Sequence, residues 1–196
     1  MDRVRYYLAL LLVVFTPPAI LFWFSIHPFI RFWRRVGPRL TLAIHYALLL
    51  LMAGGLYLVR KPLLTAEFGT SPFLIALAVP VYVLVVALRF KLGKHLRARI
   101  LTGLPELAPE KYERRLLTEG IYSRIRHPRY VQVFLALLAY AMAANYLAGY
   151  VLLALSALWI LLLVRIEEKE LRDRFGAEYE AYCARVPRFI PRRGRD

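Results

Sequence analysis

Long runs without charged residues dominate the hydrophobic and polar pattern of this chain. Three of these runs, 6–26, 40–59 and 71–88, are each close to the roughly 20 residues that a helix needs to cross a bilayer. A fourth run, 130–164, also carries no charge but is too long for one crossing. The sequence Asn-Tyr-Leu-Ala-Gly at 145–149 divides it where a tight turn is expected. The pattern therefore predicts five transmembrane helices.

The residues after the last run predict a further helix of a different kind. In 167–182, charges of both signs alternate with an apolar row at helical spacing, which consists of Leu171, Phe175, Tyr179 and Tyr182. Such an amphipathic helix is typical of a membrane interface. The predicted fold class is all-α, a polytopic membrane helix bundle of five transmembrane helices with a C-terminal interfacial helix. We divide the chain into its first three helices, 1–88, and a C-terminal part, 89–196.

The charge of the chain predicts how the helices are oriented. Its 28 Lys and Arg and 13 Asp and Glu give a net charge of +15, which in a soluble protein would suggest nucleic acid binding. With five spans, all but four of the basic residues fall on one side of the membrane; the exceptions are Arg3, Arg5, Arg60 and Lys61. Because positive charge favours the cytoplasmic side, we expect the N-terminus outside and the interfacial helix in the cytoplasm. The lipid bilayer, and not nucleic acid, is the expected partner of this charge.

Candidate chemistry lies where the basic segment meets the fourth uncharged run. Proline suits the first turn of a helix, so His127-Pro128 predicts the start of the fourth span. From there the chain crosses, turns, and returns near residue 165, and at ~1.5 Å per residue both legs are roughly 25–27 Å long. His127 and the pair Glu167-Glu168 should therefore face each other at one membrane border.

Several polar residue types converge on this predicted pocket, including Tyr122 and Tyr130. Arginine, histidine and tyrosine are also common headgroup anchors, and a glutamate pair also suits a solvated tail. The residues alone therefore leave two interpretations open: a functional pocket, or headgroup anchors followed by a solvated tail. Cys183 is the only cysteine, which excludes an internal disulfide and a cysteine-based metal cluster, and we expect no metal.

The order of motifs in 92–191 resembles the isoprenylcysteine carboxyl methyltransferase family. The related phospholipid N-methyltransferases are similar too. The motifs are Leu-Leu-Thr-Glu-Gly-Ile-Tyr at 116–122, Arg-His-Pro-Arg-Tyr at 126–130, Glu167-Glu168, Phe-Gly-Ala-Glu-Tyr at 175–179 and Arg-Val-Pro at 185–187. The first spans match that family only as hydrophobic helices.

The resemblance implies an integral membrane methyltransferase that binds S-adenosylmethionine without a Rossmann domain. The absence of a Gly-x-Gly-x-x-Gly motif agrees with this implication. The resemblance implies that the stretch of Arg115, Leu116 and Leu117 lines the adenine side of the cofactor. Four residues would contact the cofactor through side chain or backbone: Tyr122, His127, Pro128 and Tyr130. Glu167 would hold one of the polar groups of the cofactor.

The expected acceptor is a membrane lipid or a lipidated small molecule, methylated at a site facing the cytoplasm. A carboxylate acceptor needs a neighbouring cation. The eukaryotic prenylcysteine enzymes carry an arginine at the position where this chain has Leu163. In this chain, Arg165 is the nearest substitute for that arginine. An amine acceptor, as in phospholipid N-methylation, needs a base such as Glu168 or His127. The catalytic candidates are thus Arg165 and Glu168. A non-catalytic membrane protein of the same fold, and a reductase, remain as alternatives.

Overall fold

The computed structural model describes residues 1–26, 28–93 and 116–192. Helices make up nearly all of its regular structure, and no β-strand forms in this described part. The elements are α1 (Asp2–Ile26), α2 (Ile30–Val36), α3 (Pro38–Leu58), α4 (Arg60–Leu63), α5 (Pro72–Gly93), a 3₁₀ turn (Gly120–Ser123), α6 (Pro128–Ala144), α7 (Leu147–Phe175) and α8 (Ala177–Arg185).

The predicted all-α membrane class is confirmed, whereas the count of five spans is not. Among the described residues, four helices are long and apolar enough to cross a membrane: α1, α3, α5 and α7. The fourth predicted span is α6, whose 17 residues extend about 25 Å at ~1.5 Å per residue, less than the ~30 Å hydrocarbon core. Large apolar side chains such as Leu51, Leu58 and Phe73 are exposed, as suits a surface that faces lipid.

The helices pack around a centre that α6 and α7 build with α1. α5 packs on α6, and α1 packs on α3, α6 and α7. Small residues allow this close approach, because a Cβ on Gly149 of α7 would lie 3.4 Å from Leu12 of α1 and 3.6 Å from Ala141 of α6. The hairpin α6–α7 is therefore held tightly against the first helix.

The predicted turn between α6 and α7 is confirmed. Asn145 ends α6 in the left-handed conformation (φ 57°), and its side chain donates a hydrogen bond to Gly69 O at 2.9 Å. Buried Arg5 of α1 donates to the carbonyl of Ala144 at 3.0 Å, which satisfies an oxygen that the end of α6 would leave free. The far end of the hairpin is thus fixed by residues from α1 and the loop before α5.

The prediction of one amphipathic helix over 167–182 is wrong. α7 continues without interruption through the charged residues to Phe175, and α8 begins only at Ala177. Between them Gly176 has φ 53° and ψ −126°, a conformation that favours glycine and breaks the helix. The aromatic row then divides, and Tyr179 and Tyr182 become buried against Leu116.

Candidate active site

His127 stands where α6 begins, as the sequence predicts. Pro128 is the first residue of α6, where its fixed φ suits the helix and its missing N–H costs no hydrogen bond. The side chain of His127 is only 4% exposed, and its ring lies 5.8 Å from the ring of Tyr130 and 6.0 Å from that of Phe189. Packing thus fixes the imidazole at the end of the hairpin.

The two legs of the hairpin bring His127 against both glutamates of α7. Its Nε2 lies 3.2 Å from Oε1 of Glu168, and its Nδ1 lies 3.7 Å from Oε2 of Glu167. His127 and Glu168 are 41 positions apart in the sequence. The predicted meeting of the imidazole with the glutamate pair is therefore confirmed.

Glu168 is fully buried and enclosed by cations. Arg126 Nη2 donates to its Oε1 at 2.8 Å. Arg188 binds both carboxylate oxygens, with Nη2 2.6 Å from Oε2 and Nε 3.0 Å from Oε1. Such a bidentate, charge-assisted contact is stronger than an ordinary hydrogen bond. Arg172 Nη2 lies 3.7 Å from Oε2 as a third cation. The carboxylate that the sequence suggested as a catalytic base is thus surrounded by three arginines and His127.

The segment after α8 forms a wall of this cluster. The backbone N–H of Arg126 donates to Pro187 O at 2.8 Å, and that of His127 donates to Arg188 O at 3.0 Å. Arg126 Nη1 also donates to the carbonyls of Cys183 and Val186. The hydrogen bond to Glu168 raises the pKa of Arg188 above its usual value, although burial opposes the shift. The tail is therefore part of the site and not a separate appendage.

Sequence reasoning missed Arg126 and Arg188 as the partners of Glu168. The only available signal was that a buried carboxylate next to apolar helices must find cations. Many arginines in the chain could have met that need, and the choice depends on the path of the tail. Arg188 in particular lies outside any helix.

Glu167 has quite different surroundings from Glu168. Its side chain is 31% exposed, while its Oε2 is buried and has no hydrogen-bond partner among the residues that the structure describes. A buried carboxylate oxygen without a partner is costly. Glu167 therefore keeps a hydrogen-bond acceptor that no described residue satisfies.

Tyr122 lies close to this open carboxylate. Burial raises the pKa of the Tyr122 phenol well above its ordinary value, the charge of Glu167 raises it further, and the charge of Arg129 partly opposes the shift. The Tyr122 hydroxyl thus remains a neutral hydrogen-bonding group at neutral pH. Its backbone is also held, because the Tyr182 hydroxyl donates to Tyr122 O at 2.7 Å.

The remaining predicted site residues have varied positions. Pro128 is buried, whereas Arg165 is exposed on α7. Leu116 packs in an apolar cluster with Tyr179, Tyr182 and Val186, and Leu117 is half-buried. Arg115 lies outside the described residues. The roles assigned to these residues by resemblance stay predictions.

An apolar cavity of about 270 Å³ adjoins the polar cluster. It lies between α1, α6 and α7, and Tyr130, whose ring approaches His127, forms part of its wall. Arg129 also lines it, with its guanidinium 4.3 Å from the centre of the Trp23 ring of α1. A polar site and an apolar space therefore share one boundary, as a site for an amphiphilic molecule requires.

The geometry describes a helical membrane protein whose C-terminal hairpin carries a charged cluster next to an apolar cavity. Residues 105–178 match the sequence model of the family described as phospholipid methyltransferase. A protein-S-isoprenylcysteine O-methyltransferase from Schizosaccharomyces pombe is 40% identical to this chain over 78 residues. That match covers 39% of this chain and 33% of the yeast protein, so the chain spans about a third of the length of this relative.

Both comparisons support the resemblance that the motifs indicate, to isoprenylcysteine carboxyl methyltransferases and related phospholipid methyltransferases, over the C-terminal part of the chain. The family match includes Tyr122, His127, Glu167 and Glu168. It does not include Arg188 or α1, although both form part of the site described above.

Proposed function

We propose that this chain is an integral membrane methyltransferase that uses S-adenosylmethionine to methylate a lipidic acceptor, one resembling an isoprenylcysteine carboxylate. The observation that carries the proposal is Oε2 of Glu167, which has no hydrogen-bond partner among the described residues. It lies 3.7 Å from His127, whose ring approaches Tyr130 in the wall of the apolar cavity. A relative whose name states that chemistry supports the proposal. The excess of basic residues on the same side supports a site that faces the cytoplasm.

The residues present fit the cofactor. The open carboxylate of Glu167 suits a cationic or N–H donor of a ligand, and aromatic faces such as those of Tyr122 and Tyr130 stabilise a nearby cation. We expect Tyr122, His127, Tyr130 and Glu167 to hold S-adenosylmethionine. When bound, this group supplies a methyl on a cationic sulfur, which a nucleophile aligned opposite the sulfur takes.

Glu168 acts in this proposal as a positioning residue. Its carboxylate is fully buried and holds Arg126, Arg188 and His127 in place. The imidazole is thereby oriented with Nδ1 toward Glu167. The cluster gives a rigid wall against which cofactor and acceptor can be aligned.

The acceptor would place its apolar part in the cavity and its reacting group beside Tyr130. Arg129 at this boundary has no paired carboxylate within 1–26, 28–93 and 116–192, and a cation there suits an anionic nucleophile. A carboxylate is ionised at neutral pH and needs no base. Arg129 therefore takes the place that the sequence suggested for Arg165, and O-methylation is the favoured reaction.

Phospholipid amine N-methylation is a second candidate because of one observation. The carboxylate of Glu167, whose Oε2 bonds none of the residues that the structure describes, could accept a proton from an ammonium acceptor, which an amine must lose before it attacks. Labelled S-adenosylmethionine and a total membrane lipid extract separate the two reactions. An ester product loses its label in base, whereas an N-methyl product keeps it.

The cofactor assignment is tested with S-adenosylhomocysteine and the purified chain in detergent. We expect the compound to raise the melting temperature of the parent, and we expect Glu167→Gln to weaken its affinity by about tenfold to a hundredfold, because a charge-assisted hydrogen bond is lost. Glu178→Gln, the same change at an exposed position of α8, is the matched control. Equal affinity of parent and Glu167→Gln would overturn the site, and stabilisation by NADPH alone would indicate a reductase.

A further inference from the structure

One wall of the apolar cavity carries a hydroxyl that the fold does not use. Ser156 of α7 lines the cavity and is only 1% exposed. Its Oγ is buried and has no hydrogen-bond partner in the described part of the chain. Leaving a buried hydroxyl unpaired costs on the order of 1–3 kcal/mol.

Two other hydroxyls of the membrane helices have partners within their own helix. Thr41 donates to Gly37 O at 2.8 Å, one helical turn earlier, and Ser25 donates to Phe22 O at 2.9 Å. A serine in a membrane helix usually bonds a carbonyl of its own helix in this way. Ser156 differs from both, because its Oγ bonds nothing in the described part of the chain while the residue lies in the wall of the cavity.

A second hydroxyl residue lines the same cavity from the opposite helix. Thr16 of α1 is nearly buried, and most of its neighbours in the wall are apolar or aromatic. Two hydroxyl residues on facing helices are unusual in a space that otherwise suits a plain hydrocarbon chain. They indicate a ligand with a polar group inside the cavity.

The depth of these hydroxyls can be measured from the cation at the boundary. Arg129 lies over the Trp23 ring, and the next residue of α1, Phe24, contacts Trp159 of α7 with ring centres 4.8 Å apart. Ser156 is three residues before Trp159, so it lies about 4.5 Å deeper at ~1.5 Å per residue. Thr16 is seven residues before Trp23, about 10 Å deeper.

A ligand chain reaches these depths within a few bonds of its head. An extended chain advances about 1.2 Å per bond, so Ser156 lies about four bonds from a group held at Arg129. The cavity volume of about 270 Å³ is slightly below the ~300–1,000 Å³ typical of ligand pockets, which favours one chain over two.

We propose that this cavity selects a single-chain anionic amphiphile that carries a hydrogen-bonding group about four bonds behind its head. The head binds Arg129, and the group behind it pairs with the Ser156 hydroxyl. This inference rests on the proposed function for the identity of the ligand as acceptor. It adds a requirement on the chain of the acceptor that neither the motifs nor the relatives imply.

The test compares hexadecanoic acid with 5-hydroxyhexadecanoic acid. Both displace a fluorescent polyene fatty acid from the purified full chain in detergent, and the ratio of their affinities is measured for parent and Ser156→Ala. We expect the hydroxy acid to bind about fivefold tighter to the parent, as one net hydrogen bond gives, and the ratio to fall to about one in Ser156→Ala. Partition into detergent cancels because the same two acids are compared in both proteins.

Two controls isolate the hydroxyl. Ser25→Ala removes a hydroxyl that already has protein partners and should keep the fivefold ratio. 15-Hydroxyhexadecanoic acid carries its hydroxyl far beyond Ser156 and should bind the parent no better than hexadecanoic acid. Alanine favours a helix more than serine does, so Ser156→Ala should fold.

The outcomes separate this inference from the proposed function. An equal ratio in parent and Ser156→Ala, or no displacement by either acid, overturns the hydroxyl assignment. S-adenosylhomocysteine binding, measured on the same proteins, tests the methyltransferase proposal independently. A fivefold preference of the parent that Ser156→Ala abolishes, found together with no S-adenosylhomocysteine binding, would support the cavity inference and reject the methyltransferase proposal.

Discussion

Glu167 and Glu168 are adjacent in the sequence, but their carboxylates meet different partners. Successive residues of a helix point about 100° apart, so one carboxylate points into the arginine cluster and the other toward the open side of His127. The first of these contacts holds the site together. The second leaves an oxygen that no described residue bonds.

Glu168→Gln should destabilise the protein strongly. The change leaves the buried guanidinium of Arg126 and the Arg188 side chain without their counter-charge, and breaking a buried ion pair in this way costs about 3 kcal/mol or more. For a chain of this size, we expect the melting temperature in detergent to fall by roughly 6–12 °C. Thermal unfolding followed by intrinsic fluorescence measures it.

The control for this prediction is Glu178→Gln on exposed α8, which should melt within about 1 °C of the parent. If Glu168→Gln also melts with the parent, the arginine cluster does not stabilise the fold. A loss of cofactor binding without a change in melting temperature would instead indicate direct contact between Glu168 and the cofactor.

At the residue scale, the sequence predicts the meeting of His127 with the glutamates but not their different roles. The meeting follows from the length of an uncharged run and a central turn. The roles depend on the rotation of α7 about its axis and on Arg188, whose approach is set by two backbone hydrogen bonds of the tail. Neither quantity can be read from spacing along the chain.

At the level of elements, the corner between α7 and α8 depends on one glycine. Gly176 has φ 53° and ψ −126°, and a Cβ placed there would meet nothing within 4 Å. Gly176→Ala should therefore act through backbone strain alone and cost about 1–3 kcal/mol. We expect the melting temperature to fall by a few degrees, because the buried contacts of Tyr179 and Tyr182 depend on this corner.

Gly54→Ala is the matched change within a helix. Gly54 lies in α3, also in open space, and alanine there should leave stability unchanged or raise it by up to about 1 kcal/mol. Opposite signs for the two substitutions would support the conformational explanation. A Gly176→Ala protein as stable as the parent would contradict it.

The helix boundaries illustrate what periodicity can and cannot predict. The start at Pro128 and the turn at Asn145 follow from local chemistry and are confirmed. The predicted interfacial helix started too early, because Glu, Lys, Leu and Arg favour helix and extend α7 past its apolar part. The change from lipid-facing to charged residues did not end the helix, whereas Gly176 did.

At the scale of the whole molecule, the first helix belongs to the site although the family match begins at residue 105. Ala19 of α1 lines the cavity. Ala19→Phe should fill part of that space, lower kcat/KM for a lipid acceptor by about tenfold to a hundredfold, and leave S-adenosylhomocysteine binding unchanged. Methyl-transfer kinetics and thermal stabilisation on one preparation measure both effects.

Ala47→Phe provides the comparison, since Ala47 is exposed on α3 and outside the wall of this cavity. It should keep the activity of the parent. Unchanged kinetics in Ala19→Phe would mean that the acceptor does not use the space beside α1.

The locked turn at Asn145 has a genetic consequence. Because Arg5 and the loop before α5 anchor that end of the hairpin, α7 cannot slide to absorb a change in its length. Inserting a single amino acid anywhere between Leu147 and Val164 would advance both acids by ~1.5 Å and rotate them by about 100°. Codon insertions deep in the apolar segment should therefore be as harmful as substitutions at the acids themselves.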